Sequence, residues 1–372
     1  MKRQARSLLW TALIVASCVF GAVGTASAAT EVVVGFQPYD TISYQVTVNQ
    51  ELGLWKKYFP KDVTVEFQPA LQGSIIANNM LAGKQQIGYM SVMPATLACT
   101  KPDQADIRMV ASVGMSDGMR CSLLLVKKDA PKFKDQEEAI KWLNGKVVAA
   151  PKGSAADQYL RMIFAKYNVK PAEYLNQSIE VIGSNFRIGK LDAAAMWEPT
   201  ISRICDLVGE GIARIAATGT CVNNPDLGMM VMRGDFVDKH PDLAEAWLKA
   251  ELDAQLFLLD PKNWAQAVEM ISKTATGVPK KVLWYSIYGQ IPKEVGGTPA
   301  REWKPFCFDD KIQKNISDVF VFLQSEKLIK YDKPLPKTVD DSIAKKILAE
   351  RGLKTPIGTI EGQPPEKVPF KD

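Results

Sequence analysis

Through the first two thirds of this chain, short apolar runs alternate with segments whose apolar residues recur at helical spacing. Glu31 to Phe36 predicts a strand, Thr41 to Phe59 a helix, and Val63 to Phe67, with its alternation, a second strand. Ser74 to Ala82 reads as a helix, and Gln86 to Met90 and Met109 to Val113 as strands. A second set opens with a strand at Cys121 to Val126, followed by a helix over Ala139 to Leu143, a strand over Lys146 to Ala150 and a helix over Ala155 to Tyr167. Strands are then expected at Ile179 to Ile182, Ala193 to Trp197 and, returning, Leu227 to Met232. Such alternation is the pattern of α/β units built on parallel strands. Beyond it, Pro241 to Leu259 and Pro261 to Thr274 carry Leu, Ala, Trp and Met at helical spacing, so the remainder is expected to be mainly helical. Pro and Lys accumulate from Lys333, and Gly362 to Asp372 reads as a loose tail. The implied organisation is a first lobe over residues 29–123, a second over 124–226, and a return to the first over 227–372. A chain that crosses twice between lobes makes a hinge.

One local pattern occurs twice. Leu81-Ala82-Gly83-Lys84 leads into Ile87-Gly88-Tyr89-Met90, and Arg187-Ile188-Gly189-Lys190 leads into Ala193-Ala194-Ala195-Met196-Trp197. Gly suits the left-handed residue that closes a helix, and the small or apolar residues after it suit a buried strand. Ligands in open α/β sheets bind beyond the carboxyl ends of strands, which places Tyr89 and Trp197 at two half-sites facing one cleft.

The N-terminus locates that cleft. Lys2, Arg3 and Arg6 precede a largely apolar stretch from Leu8 to Val23 and the small residues Ala26-Ser27-Ala28, a secretory signal peptide over residues 1–28. Lipoprotein processing at Cys18 is the lesser alternative, because apolar Val19-Phe20 follows it. Export removes three of 46 basic residues and none of the 41 acidic ones, leaving 43 against 41. Near-neutral charge without a basic, aromatic-laced stripe argues against nucleic-acid binding. Five cysteines remain, an odd number; Cys205 with Cys221 and Cys99 with Cys121 are conceivable bridges. The single histidine, His240, excludes a His-based metal cluster.

Candidate ligand chemistry sits at predicted strand ends and helix starts. Lys152-Gly153-Ser154-Ala155 follows an apolar strand, with Ser154 as N-cap and Asp157 its partner three residues on; free amides there attract an anionic or polar group. Gln72-Gly73-Ser74 repeats this logic in the first lobe, and Ser91 follows the strand carrying Tyr89. In Pro38-Tyr39-Asp40-Thr41, Asp40 or Thr41 caps the next helix while Tyr39 points to the cleft. Trp197 offers a flat indole face and Glu198 an acceptor for hydrogen bonds or an amine, against the plainer readings of a core Trp and of a Glu paired with a lobe-closing Lys or Arg. Met90, Met93, Met115, Met119 and Met196 supply an adaptable apolar lining if they face the cleft, and Arg120 and Arg187 are within imaginable reach of a sulfonate or carboxylate.

Gly35-Phe36-Gln37-Pro38, Gln72-Gly73-Ser74, Ile87-Gly88-Tyr89, the run Val148 to Ser154, Gly189 to Ala194 with Trp197-Glu198-Pro199, and Phe236 to Leu243 stand in an order and spacing that resembles the nitrate/sulfonate/taurine group of ABC-transporter solute-binding proteins. The resemblance spans roughly residues 31–350. It implies a periplasmic binding protein of type II, two α/β lobes around a hinged cleft, acting as a monomer. The implied partners are a small organic ligand and an inner-membrane ABC permease with its ATPase, with no cofactor, no metal and no catalytic residue. An organic sulfonate or similar organic anion is the expected ligand, with a taurine-like zwitterion, a heteroaromatic compound or an aromatic acid as alternatives. An enzyme of the thiamine-pyrimidine or menaquinone-precursor type, or a periplasmic sensor, is the competing class on the same fold.

Overall fold

The computed structural model describes residues 30–371, so the expected signal peptide and Cys18 lie outside the described residues. The first apolar run forms β1 (Thr30–Phe36), buried from Val32 onward as a strand covered on both faces must be. There follow α1 (Tyr44–Leu52), β2 (Val63–Pro69), α2 (Gly73–Leu81), β3 (Ile87–Ser91), α3 (Val92–Cys99) and β4 (Ile107–Ser116). The chain then builds β5 (Leu123–Lys127), α4 (Gln136–Lys141), β6 (Val147–Ala150), α5 (Ala155–Tyr167), β7 (Glu173–Asn176), α6 (Ile179–Arg187), β8 (Ala193–Met196), α7 (Thr200–Ile204) and β9 (Ala213–Thr218). It returns through β10 (Asp226–Arg233), α8 (Gly234–Lys239), α9 (Pro241–Leu259), α10 (Trp264–Thr274), α11 (Lys280–Tyr288), β11 (Ala300–Lys304), α12 (Asp310–Ser325), α13 (Ser342–Arg351) and β12 (Gly358–Glu361).

Two mixed sheets result. Lobe I holds the order β12-β11-β4-β10-β3-β1-β2, with β1 parallel to β2 and β3 and with β10 antiparallel to β3 and β4. Lobe II holds β7-β6-β8-β5-β9, with β6 parallel to β7 and β8 and with β5 antiparallel to β8 and β9. This is the α/β, two-lobed architecture of type II periplasmic binding proteins.

Both Gly-Lys turns form as expected. Gly83 and Gly189 take φ of 77° and 70°, and in each copy the Lys amide bonds back across the helix end, Lys84 to Asn79 and Lys190 to Asn185. Other expectations need correction. Ile179–Ile182 is the first turn of α6 and not a strand; the strand is the preceding β7, whose short Glu-Tyr-Leu-Asn run carries little apolar signal. The helix expected over Thr41–Phe59 stops at Gly53, which is left-handed at φ 61°, and resumes as a 3-10 turn over Leu54–Lys57. The returning part is not only helical: β11 and β12 extend the lobe I sheet. The C-terminal stretch is also tied down, with Gly289 bridged to Gln363 and with Val368 and Phe370 packed on the helical core.

The lobes are joined where β4 runs on to β5 and β9 to β10. The two crossings touch backbone to backbone: a Cβ on Gly118, at φ 80°, would lie 2.4 Å from the Gly219 Cα. Asp226 pins the junction. Its Oδ2 accepts from the Ser116 hydroxyl and from the Arg120 and Cys121 amides at 2.7–2.9 Å, and its Oδ1 from the Ser122 hydroxyl at 2.6 Å. One stretch of the returning chain also reaches across: Ile291 is buried in the lobe II core, and the Gly296 carbonyl accepts from the Thr218 hydroxyl at 3.0 Å.

Candidate functional site

Between the lobes lies a cavity of about 20 Å³, built from strand ends and helix starts of both. From lobe I come Gln37 and Asp40 after β1, Gln72, Gly73 and Ser74 at the start of α2, and Ser91 and Pro94 at the start of α3. Lobe II supplies Gly153, Ser154 and Ala155 at the start of α5, and Trp197 after β8; Cys121 enters from the crossing. Each contribution follows from local geometry. A buried strand ends, the chain turns, and the next helix begins with its amides facing the gap.

The α5 start is capped from within. Ser154 Oγ donates to the Pro151 carbonyl at 2.6 Å and accepts from the Asp157 amide at 3.3 Å, while Asp157 Oδ2 accepts from the Gly153 amide at 2.9 Å. In contrast, α2 and α3 begin at Gln72 and Ser91 without a side-chain cap. Three helices of eight residues or more thus present positive ends to one small space. None of the cavity-lining residues is a Lys or Arg.

Asp40 is the only charged side chain in that lining. It caps the 3-10 turn at Thr41–Ser43, with Oδ1 accepting from the Ile42 amide at 3.1 Å. Burial pushes its pKa up to about 7 against the pull of that amide and of Arg120, and the Asp226 and Glu302 carboxylates add to the rise. Cys121 is buried as well, which holds its thiol well above the ordinary range.

Of the residues expected from the sequence, Asp40, Gln72, Gly73, Ser74, Ser91, Gly153, Ser154, Ala155 and Trp197 meet at this cavity. Three do not. Tyr89 lies two residues short of the end of β3 and is fully buried, its hydroxyl donating to Glu251 Oε2 at 2.7 Å and accepting from Trp247 Nε1 at 2.8 Å. Tyr39 lines a separate groove of about 490 Å³ at the flank, and its hydroxyl sits 3.1 Å from that of Thr276. Glu198 is fully buried and fully engaged: Oε1 accepts from Arg301 at 2.7 Å and from the Ser202 hydroxyl at 2.8 Å, and Oε2 from the Ser202 amide at 2.9 Å. Because Arg301 stands on β11, this pair ties lobe II to lobe I. The indole of Trp197 helps, its Nε1 donating to the Tyr39 carbonyl at 3.0 Å.

The five methionines expected as lining are core: Met90, Met93 and Met115 pack in lobe I, Met119 and Met196 in lobe II. Arg120 is buried against Glu302, and Arg187 pairs with Glu210 at the surface at 2.6 Å. The five described cysteines form no disulfide. Sequence reasoning left out Gln37, Pro94 and Cys121. The signal for Gln37 was its place directly after β1; Cys121 carries none, since only the crossing brings it to the cleft.

A family model for the NMT1-like family matches residues 25–272. The chain belongs to the NMT1-like family. The match spans β1 to α10 and so takes in every residue lining the cavity. Within this NMT1-like chain, similarity also extends to the taurine-binding periplasmic protein of Escherichia coli K12, 26% identical over 299 residues that cover 77% of this chain and 86% of that protein. Among solved structures, the alkanesulfonate-binding protein SsuA of Xanthomonas axonopodis pv. citri, bound to MOPS, superposes with a TM-score of 0.65 at 17% identity, over 84% of this chain and 99% of that one. The periplasmic nitrate-binding protein NrtA of Synechocystis PCC 6803 gives 0.66 at 16% identity, over 87% and 89%. The NMT1-like chain is therefore a distant homologue of periplasmic solute-binding proteins, with their fold.

Proposed function

We propose that this protein is the extracytoplasmic solute-binding component of an ABC importer, which captures a small organic anion of the sulfonate class between its lobes and delivers it to a membrane permease and its ATPase. The convergence of the α2, α3 and α5 starts on one interlobe cavity carries this reading. Backbone amides and the Ser74 and Ser91 hydroxyls meet the oxygens of an anion without a fixed cationic side chain. Trp197 supplies an apolar wall for a short carbon chain. Likeness to the taurine-, alkanesulfonate- and nitrate-binding proteins supports the solute class, and the basic, apolar N-terminus supports export.

The solute-binding reading is preferred to an enzymatic one because the relatives named above are binding proteins. The test is a thermal-shift screen of the mature protein against sulfonates, carboxylates, amino acids and nitrate. A stabilising sulfonate is expected: a ligand at about 100 times its Kd adds about 2.7 kcal/mol to the folded state. A flat response across the whole panel would falsify the reading.

A further inference from the structure

We propose that the chain after β12 is a brake on opening of the cleft: it clasps the feet of a third link between the lobes, made by residues 290–299. The proposal goes beyond the solute-binding reading and needs no ligand. Besides the two crossings, the chain leaves lobe I after α11, runs to lobe II and comes back to begin β11. Ile291 is 1% exposed in the lobe II core, Val295 packs on the same core, and the 3-10 turn Lys293–Val295 lies against β9. The Gly296 carbonyl stands 3.0 and 3.3 Å from the Thr218 and Thr220 hydroxyls of lobe II. The excursion is also closed on itself, with the Gly297 amide donating to the Pro292 carbonyl at 3.0 Å.

Residues 362 and 363 hold both of its feet to lobe I. The Gln363 amide donates to the Tyr288 carbonyl at 2.7 Å, the Gln290 amide to the Gln363 carbonyl at 2.8 Å, and the Gly362 amide to the Pro299 carbonyl at 2.8 Å. The Tyr285 hydroxyl donates to the Gln290 carbonyl as well. Behind this clasp, Val368 and Phe370 pack on the helical core and anchor it. Both the excursion and the clasp lie past residue 272, where the match to the family model ends.

Gln290 is thus bound to lobe I through its amide and its carbonyl, while the next residue is buried in lobe II. Bonded residues keep a fixed spacing, so the first foot has no slack. Wide separation of the lobes must either draw Ile291 out of its core or part the clasp. Burying a whole isoleucine side chain is among the larger single contributions to a fold, whereas backbone hydrogen bonds can be exchanged for bonds to water. Gly362 and Gln363 are only half-buried, so water reaches them as they part. The clasp is therefore the part that yields, and its strength sets how far the lobes open.

Small-angle scattering of the unliganded mature protein and of two full-length variants tests this. Gln363→Pro removes the amide that bonds Tyr288 and so loosens the clasp, and Ile291→Ala loosens the plug. Each should raise the radius of gyration by about 1 Å over the unaltered protein. Should either fold poorly by near-ultraviolet circular dichroism, a second variant takes its place. For the clasp this is Gly362→Ala, whose Cβ would stand 2.9 Å from the Gln290 Cα; for the plug it is Ile291→Val. A rise in both folded variants bears the brake out. An unchanged radius in either overturns it: without a rise at the clasp the C-terminal segment holds nothing back, and without one at the plug the excursion is no link. Neither result alters the thermal-shift screen, so the solute-binding reading stands or falls separately.

Discussion

Glu251 shows how a single buried acid sets the pH response of the fold. It sits on α9 under β3, fully buried, with Tyr89 and Gln255 donating to its two oxygens at 2.7 and 2.8 Å. Burial pushes its pKa from 4.5 up to about 7, against those two hydrogen bonds and the nearby Lys304. The folded state thus holds this proton more tightly than the unfolded chain does. The resulting stabilisation is fully present below about pH 4.5 and is lost as the pH rises through 7. Its size is about 3 kcal/mol. Glu251→Gln should flatten the fall in stability between pH 5 and 7.5, measured by denaturant unfolding at each pH. A slope identical to that of the unaltered protein would show that the carboxyl is ionised throughout. The same residue explains why Tyr89 is not a cleft residue. An aromatic at a strand end can face solvent, but two residues back, about 7 Å along the strand, it lies beneath a helix and needs a buried partner for its hydroxyl.

Among elements, the interlobe crossing is the part with least tolerance. Gly118 has φ 80°, a value costly for a residue with a Cβ, and the nearest obstacle is the backbone of the other crossing, which cannot rotate aside as a side chain would. Gly118→Ala should therefore cost about 2 kcal/mol or more, read as a lowered denaturation midpoint. An unchanged midpoint would mean that the crossings part freely. The helices were easier to read than the strands. Ala155–Tyr167 and Pro241–Leu259 stand where spacing and caps put them, because Ser154 and Pro241 are local signals. β7, β11 and β12 carry little apolar pattern, and their residues become strands because a neighbouring strand is there to pair with.

At the scale of the whole molecule, the cleft opens and closes against contacts that already join the lobes. Glu198–Arg301 and the Ile291 plug are buried, whereas Arg161–Glu326, linking α5 to the region after α12 at 2.7 Å, is partly exposed. An exposed pair contributes under about 1 kcal/mol, so it tunes closure by a few fold at most. A cavity of about 20 Å³ holds about one water, so the lobes must separate to admit any organic solute. Small-angle scattering should show a radius of gyration that falls as a stabilising ligand saturates the protein. A profile unmoved at saturation would count against a hinged cleft.

The sequence by itself determined the two-lobed α/β plan, the paired helix-turn-strand units and most of the cavity, because these depend on apolar periodicity, helix caps and the rule that sites form at strand ends. Gln72 to Ser74 and Gly153 to Ala155 were legible for that reason. Only the tertiary structure decided which way each side chain faces. Tyr89 and the methionines turned to the cores, Glu198 went to Arg301 on a strand 103 residues later, and Cys121 came to the cleft through the crossing. Those outcomes depend on which distant groups share a buried volume, and no local pattern of residues records that.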